Sequence, residues 1–277
     1  MKKLKVVLDS SALFGMNKND IEILKPFKIF VTPSNLFETC SHSADDKIKN
    51  DIAFVISKAS IFSKLNSNFL PDRDSLIDQE KCFIIGRKAK NYSQKYFKKL
   101  LKALSSGNKT VEDKKVKELI VENTISLTQA FARDIEKIKE EFNKSVEKPI
   151  VGLPDISRED VFNYLFDGNF INFLVTLLND STLTEEELIK ISKGSFFRNL
   201  NAAYKELLKE IIITKDRKAE KSDYFDFEFY MYLFSLSNPI DYLIVNNSRD
   251  FRDKFPSNPK IITWEEFKKK VTNDKGI

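Results

Sequence analysis

The sequence predicts an α/β protein in which the two ends of the chain build a short parallel sheet and helices occupy the middle of the sequence. Two observations support this class. Short apolar runs typical of buried strands lie near the termini, at Lys5–Leu8 and Tyr242–Val245. Between about residues 45 and 215 the apolar residues follow helical spacing instead. Gly (7) and Pro (8) are scarce in the 277 residues, which argues against a loop-rich all-β fold.

The N-terminal segment predicts a compact β-α-β start. A second strand is expected at residues 27–31 (FKIFV), which are aromatic and β-branched. Pro33 ends this strand, because proline lacks the N–H that a strand ladder needs and fits the first turn of a helix. We therefore expect a helix from Asn35 onward, with Glu38 near its first turn.

The rest of the sequence predicts a series of helices followed by two more strands. The helical stretches have apolar residues three or four positions apart, and Pro71 separates the first two of them. The expected helices cover 45–66, 74–104, 110–146, 157–178, 184–213 and a short segment after Ser222. Strands at 242–245 and 260–263 and a helix at 264–271 complete the prediction.

Composition argues against several classes of protein. The apolar run after Met1–Lys5 is too short for the core of a signal peptide, and no window approaches the roughly 18 to 20 apolar residues of a membrane span. Cys40, Cys82 and the single His42 are too few for a disulfide framework or a Cys/His zinc site. We expect a cytoplasmic protein without a membrane partner, and its net charge of +5 is compatible with a polyanionic one.

Acidic residues follow the strand patterns at both ends of the chain. Asp9 comes directly after the first strand, and Asp250 lies shortly after the strand at 242–245. Asp223 and Asp226 are three positions apart and share a face of the expected helix. Clustered carboxylates raise one another's pKa unless a cation fills the site, and Mg²⁺ or Mn²⁺ prefers such oxygen ligands.

Each of these acids also has a structural interpretation. Asp9 and Asp223 could be helix N-caps, and Glu38 could favour the helix dipole. Asp250 could be a solvated turn residue. Asp226 lies among phenylalanines, where an unpaired carboxylate would cost several kcal/mol if buried, so a functional role and a structural one both stay open for it.

Four segments in this order resemble a PIN-domain nuclease, a small α/β/α fold related to flap endonucleases: KVVLDSSALF, VTPSNLFE, SDYFDFEFYMYL and DYLIVNNSRDF. The resemblance implies a PIN-like three-layer α/β/α fold with a short central parallel sheet. It also implies one domain over 1–277, with a core formed by about 1–60 and 215–277. Residues of about 61–214 would be a large helical insertion into that core.

The same resemblance implies a Mg²⁺- or Mn²⁺-dependent endonuclease that hydrolyses phosphodiester bonds, with RNA as the expected substrate. It places catalytic acids at Asp9, Glu38, Asp223 and Asp226, and metal ligands at Asp9, Glu38, Asp226 and Asp250. In the family the last strand is followed by Thr, any residue, then Asp or Asn, whereas this chain has Asn246, Asn247 and Ser248. One metal and two metals therefore both stay open. Polar groups expected to support a ligand carboxylate, a metal-bound water or a phosphate are Ser10, Ser11, Asn246 and Ser248.

A basic segment from Lys81 to Lys102 contains no acidic residue. On one helix it would form a cationic face able to follow the backbone of single-stranded or structured RNA, with tyrosines available for stacking. A solvated face above aromatic core residues is the alternative. The expected nucleic-acid contacts are Arg87, Lys88, Lys95, Lys98 and Lys99.

Other folds and functions were weighed on the same residues. Haloacid-dehalogenase-like phosphatases need a second Asp where this chain has Ser11, and dinucleotide-binding domains need a glycine-rich turn that is missing after Asp9. The acidic pair and phosphoacceptor Asp of a response-regulator receiver could not be placed. The main alternative is a catalytically degenerate PIN-like module that binds RNA or a protein partner. A toxin restrained by an antitoxin is a further reading, although toxin relatives are usually much shorter.

Overall fold

The computed structural model describes residues 3–17, 19–41, 59–65, 68–90, 95–105, 114–147, 157–167, 170–214, 216–246, 251 and 254–274. Its centre is a five-stranded sheet in which every described pairing is parallel. The strands are β1 (Lys5–Leu8), β2 (Lys28–Val31), β3 (Asn68–Phe69), β4 (Tyr242–Val245) and β5 (Ile261–Thr263), in the spatial order β3-β2-β1-β4-β5. The predicted α/β class is therefore confirmed.

The two ends of the chain form the middle of the sheet. Strand β1 pairs with β2 on one side and β4 on the other, so that Val7 lies opposite both Phe30 and Leu243. The four predicted strands are present within one residue of their expected limits. Strand β3 was not predicted, because its two residues are too short to show a periodic pattern.

Helices account for most of the remaining described residues. They are α1 (Ser10–Gly15), α2 (Asp20–Leu24), α3 (Pro33–Ser41), α4 (Arg73–Ile85), α5 (Lys95–Ser105), α6 (Lys114–Glu147), α7 (Arg158–Asp167), α8 (Phe170–Leu178), α9 (Glu185–Lys193), α10 (Ser195–Ile213), α11 (Lys221–Tyr232) and α12 (Trp264–Asp274). Residues 59–64 are also helical. In the described part of the chain no single helix is long and apolar enough to cross a membrane. Helices α7 and α8, which have a 60° bend between them, reach that length and apolar composition only when they are taken together.

Two predicted helical stretches are each divided at a glycine. The expected helix at 74–104 was wrong, since α4 ends at Gly86, which has a φ of 74° and donates its N–H to the Cys82 carbonyl. The positive φ of Gly86 stops α4, and glycine adopts it without a steric penalty. As a consequence, Arg87 and Lys88 do not share a helix with Lys95. The helices expected over 184–213 are confirmed, and Gly194 ends α9 and begins α10. Gly194 instead has an extended backbone, with φ −67° and ψ 131°.

Helices cover both faces of the sheet, and each face has its own apolar core. Successive strand residues point to opposite faces, so Val6 and Leu8 belong to one core and Val7 belongs to the other. The Val6 face is covered by α1, α2, α3, α5 and α12. The Val7 face is covered by α4 and by the helices from α6 to α11. This arrangement is compatible with a three-layer α/β/α fold, and β3 and α5 lie in the range assigned to the insertion.

Candidate active site at the carboxyl edge of the sheet

Asp9 directly follows β1 and caps the N-terminus of α1. Its backbone is extended, with φ −67° and ψ 153°, and its carboxylate accepts hydrogen bonds from the N–H of Ser11, at 3.1 Å, and from the Ser11 hydroxyl. The Ser11 Oγ in turn accepts a hydrogen bond from the Asn246 N–H at 3.3 Å. Asp9 therefore has the capping role that the sequence suggested, and it is tied to the residue that follows β4.

Asn35 fixes the ends of β1 and β2 beside Asp9. Its Nδ2 donates to the Leu8 carbonyl at 3.0 Å and to the Ser10 Oγ at 3.1 Å, and its Oδ1 accepts from the Thr32 N–H at 2.9 Å. The hydroxyl of Ser10 is thus buried against α3 rather than turned toward the open edge of the sheet. These contacts set the position of α3, the helix that carries Glu38.

Two of the predicted acids, Glu38 and Asp226, lie within electrostatic reach of Asp9 at this carboxyl edge. Burial raises the pKa of Asp9 to about 7, and the charge of Glu38 raises it as well. Burial also raises the pKa of Asp226 to about 7 against the opposing effect of Lys254, with Asp9 and Asp223 contributing to the rise. Asp9 at the end of β1 is therefore influenced by Glu38 of α3, and it in turn influences Asp226 of α11.

Lys254 is a site residue that sequence reasoning missed. Its Nζ lies 2.6 Å from Asp226 Oδ2 and 3.1 Å from Asp223 Oδ1, and its side chain is 16% exposed. Asp226 is therefore paired, which removes the cost that an unpaired carboxylate among phenylalanines would have. The sequence gives no local signal for this pair, because it joins residues 28 positions apart.

Asp223 lies in a different environment from Asp226 although both are on α11. It is fully buried, its Oδ1 accepts from Arg217 Nη2 at 2.7 Å, and its Oδ2 accepts from the Glu220 N–H at 2.8 Å in a capping box. Burial raises its pKa, but the hydrogen bonds from Arg217 and Glu220 and the charge of Lys254 hold the pKa below its usual value. Asp223 thus shows the capping role that was the structural alternative for it.

Glu228 is a second buried acid that the sequence analysis did not single out. Its side chain accepts a hydrogen bond from the Ser34 hydroxyl, at the start of α3, and only 4% of the residue is exposed. Burial raises its pKa to about 7, although Ser34 and Arg73 favour the charged form. The signal for it was available in the phenylalanine-rich run that also contains Asp226.

The basic residues separate into two groups. Arg87 is paired with Glu187, with 2.5 Å between Nη2 and Oε1, and Lys88 is exposed in the non-helical residues after α4. The expected continuous cationic helix over both groups was therefore wrong. On α5, by contrast, Phe97 and Leu101 are buried and one exposed face carries four lysines. We call these the lysine stripe: Lys95, Lys98, Lys99 and Lys102.

Two predicted site residues, Asp250 and Ser248, lie outside the described residues, as does His42. Asn246 is described and exposed at the end of β4, where its backbone N–H contacts Ser11.

The acids at this edge have the donor chemistry of a Mg²⁺ or Mn²⁺ site but do not form a ready-made cage. Carboxylate oxygens suit these ions, and the described acids at the edge come without histidine or cysteine. Within the described ranges, however, no three Asp, Glu, His or Cys side chains are grouped so that they could hold a metal ion. No family model, no curated protein and no solved structure matches this chain.

Proposed function

We propose that this protein is a PIN-like, metal-dependent endonuclease that hydrolyses phosphodiester bonds, with RNA as its substrate. One observation carries the proposal. Asp9 follows β1 at the carboxyl edge of a parallel sheet, Asp226 lies within electrostatic reach of it although it comes from the other end of the chain, and both have a pKa raised to about 7. Carboxylates with strongly raised pKa values at the carboxyl ends of parallel strands are typical of functional sites.

The raised pKa values also explain why this edge would bind a divalent cation. Burial and the charges of neighbouring acids disfavour the charged forms of Asp9 and Asp226, and a bound cation would reverse that effect. Asp9, Glu38 and Asp226 are the residues that would hold Mg²⁺ or Mn²⁺, and their side chains would have to come closer together to do so, since no three such groups in the described ranges are placed to hold an ion. When bound, the ion supplies a polarised water for attack and offsets charge on the leaving oxygen. Ser11 fixes the orientation of the Asp9 carboxylate by donating two hydrogen bonds to it.

The lysine stripe supports a polyanionic substrate. Phe97 of α5 stacks on Phe69, the last residue of β3, with 5.7 Å between ring centroids, and contacts Phe37 of α3 at 6.2 Å. Phe37 directly precedes Glu38 in the sequence, so the helix with the exposed lysines packs against the helix that carries one of the predicted acids. We therefore assign the stripe to the backbone of single-stranded or structured RNA.

Cleavage assays with Asp9→Asn test the catalytic part of the proposal. End-labelled single-stranded RNA and DNA are incubated with purified protein and Mn²⁺, Mg²⁺ or EDTA. We expect RNA cleavage that requires metal and falls by roughly two orders of magnitude or more in Asp9→Asn, since losses of 10 to 100-fold already follow changes in groups that only support a ligand. Asp167→Asn, an exposed acid on α7, is the matched control. Undiminished cleavage by a folded Asp9→Asn protein would contradict the proposal.

Substitution of the lysine stripe tests the substrate class. Replacing Lys95, Lys98 and Lys99 with Ala should weaken RNA binding and lower the slope of log affinity against log salt by about 2, since each lost phosphate contact on a single strand contributes about 0.7. Binding titrations from low to high salt measure the slope. Lys190→Ala, with an exposed lysine on α9, is the single-charge control. An unchanged slope would show that the stripe does not bind RNA.

The alternative is a catalytically degenerate module that binds RNA or a protein partner. The observation in its favour is the ion pair between Lys254 and Asp226, since it already occupies one of the expected metal ligands. RNA binding that persists in EDTA, without cleavage under any metal condition, would support this alternative.

A further inference from the structure

We infer that Lys254 is the resident cation of the candidate site, and that it competes with a divalent ion for Asp226 and so sets the metal affinity of the protein. The inference rests on the proposed function for the position of the ion. Lys254 would be a positioning residue, because it directly contacts Asp226, an expected metal ligand. The carrying observation is the 2.6 Å contact between Lys254 Nζ and Asp226 Oδ2.

The contacts of Lys254 show that its main partner is Asp226. Its Nζ is closer to Asp226, at 2.6 Å, than to Asp223, at 3.1 Å. Asp223 has two further donors, the Arg217 guanidinium at 2.7 Å and the Glu220 N–H at 2.8 Å. Asp226, in contrast, has no donor besides Lys254 in the described part of the chain. Removing the ammonium would therefore leave Asp223 satisfied and Asp226 bare.

Without Lys254, Asp226 would be left among phenylalanines with no described donor to balance its charge. Lys254 supplies that balance, so the edge can exist without a metal ion. A divalent ion that takes Asp226 Oδ2 must displace the ammonium, and Asp223 can retain it nearby. The affinity for metal is thus reduced by the energy of the ion pair that must be broken.

Metal binding to substituted proteins tests this competition directly. Mn²⁺ is titrated into wild type, Lys254→Met, Lys254→Gln and Lys254→Arg, and free Mn²⁺ is followed by electron paramagnetic resonance at fixed pH. The neutral variants should bind Mn²⁺ about tenfold or more tightly, since a nearby positive charge opposes the ion. Lys254→Arg should keep the affinity of wild type. Asp226→Asn added to Lys254→Met should abolish the gain, and Lys190→Met should change nothing.

The outcomes distinguish this inference from the proposed function. Equal Mn²⁺ affinity in wild type and in both neutral variants would overturn the role of Lys254, and the nuclease proposal would stand if wild type still cleaved RNA. Binding by the neutral variants but not by wild type would support the role of Lys254 and overturn the nuclease. Absence of binding by every protein would overturn both.

A folding readout keeps the test informative if a neutral variant is unstable. Thermal unfolding is followed by circular dichroism with and without Mn²⁺. Lys254→Met and Lys254→Gln should gain more in melting temperature from Mn²⁺ than wild type does, because the ion replaces the missing charge. Variants that stay unfolded in Mn²⁺, or that gain no more than wild type, would overturn the inference.

Discussion

Glu228 is held as a buried carboxylate at a cost in stability, and Glu228→Gln should therefore stabilise the protein at alkaline pH. The residue is 4% exposed and accepts a hydrogen bond from the Ser34 hydroxyl. Burial raises its pKa to about 7, while Ser34 and Arg73 favour its charged form and Asp72 and Asp74 oppose it. A glutamine in the same place can still accept the hydrogen bond from Ser34 and carries no charge.

The magnitude follows from the difference between the folded and unfolded pKa values. The pKa of Glu228 is about 7 in the folded protein against 4.5 for an ordinary glutamate. At about 1.4 kcal/mol for each pH unit, that difference corresponds to about 3 kcal/mol of unfolding free energy. Because the folded pKa is the higher one, this stability is fully present below pH 4.5 and is lost as the pH rises through about 7. The advantage of Glu228→Gln should grow from below about 1 kcal/mol at pH 5 to about 3 kcal/mol at pH 8.

Urea unfolding between pH 5 and pH 8 measures this advantage, and Glu80→Gln is the matched control. Glu80 is also fully buried, but it accepts hydrogen bonds from the Ser235 hydroxyl, the Leu236 N–H and both the N–H and hydroxyl of Ser237. An amide group would turn its NH₂ toward some of these donors, so Glu80→Gln should lower the free energy of unfolding by about 1 to 3 kcal/mol. The two substitutions are chemically identical and should have opposite effects at pH 8.

Two results would refute the reasoning about Glu228. The first is a Glu228→Gln protein that is less stable than wild type at pH 8. The second is a difference between the two proteins that does not change between pH 5 and pH 8. Either one would mean that the folded protein favours the charge of Glu228 at least as much as burial opposes it.

Two further predictions concern the glycine between α9 and α10 and the asparagine beside the candidate site. Gly194→Ala should lower the free energy of unfolding by about 1 to 3 kcal/mol, because a Cβ there would lie 2.5 Å from Ile84 Cδ1 and 3.0 Å from the Ile191 carbonyl oxygen and would overpack the site. An unchanged melting temperature in thermal unfolding would contradict this prediction. Asn35→Ala should cost about 2 to 4 kcal/mol, since it leaves buried backbone groups at the ends of β1 and β2 without partners at about 1 to 3 kcal/mol each. Urea unfolding measures this loss, and a loss below about 1 kcal/mol would show that the network does not hold the strand ends.

The parts of the fold that were predicted correctly have strong local signals. Strand β4 was predicted with the limits that the structure shows, because YLIV is a short apolar run between polar residues. The Pro33 signal located α3 for the same kind of reason, although the helix begins at Pro33, two residues before the expected start at Asn35. Gly86 was a local signal too, and it was overlooked inside a long stretch of helical spacing. Strand β3 could not be predicted, since its two residues are defined by their pairing with β2.

The residues of the candidate site also differ in whether the sequence could identify them. Asp9 could be identified because an acid directly after an apolar strand must lie at the carboxyl edge of a parallel sheet. Glu38 and Asp226 were identified through the resemblance, and each of them lies within electrostatic reach of Asp9. Lys254 could not be identified, because its contact with Asp226 arises from packing between distant segments. A sequence pattern locates the acids of a site more readily than the cations that balance them.

Helix α11 shows why the position of an acid in the sequence does not decide its chemistry. Asp223, Asp226 and Glu228 lie in one phenylalanine-rich run of this helix. With 3.6 residues per turn, Asp223 and Asp226 project in similar directions and Glu228 projects elsewhere. Asp223 therefore forms ion pairs with Arg217 and Lys254. Asp226 forms an ion pair with Lys254, and the charge of Asp9 raises its pKa. Glu228 accepts a hydrogen bond from the hydroxyl of Ser34.

The partners of these three acids make each one separately testable. Asp223 is held charged by its donors, so its replacement by Asn should act on the stability of the helix cap. Glu228 is uncharged over much of the acidic range, so its replacement should act on the pH dependence of stability. Asp226 is the acid of this helix whose pKa Asp9 raises, and its replacement should act on metal binding. In the proposed function, metal binding at this edge requires that Asp226 be released from Lys254, so breaking their ion pair is a necessary step of the proposal.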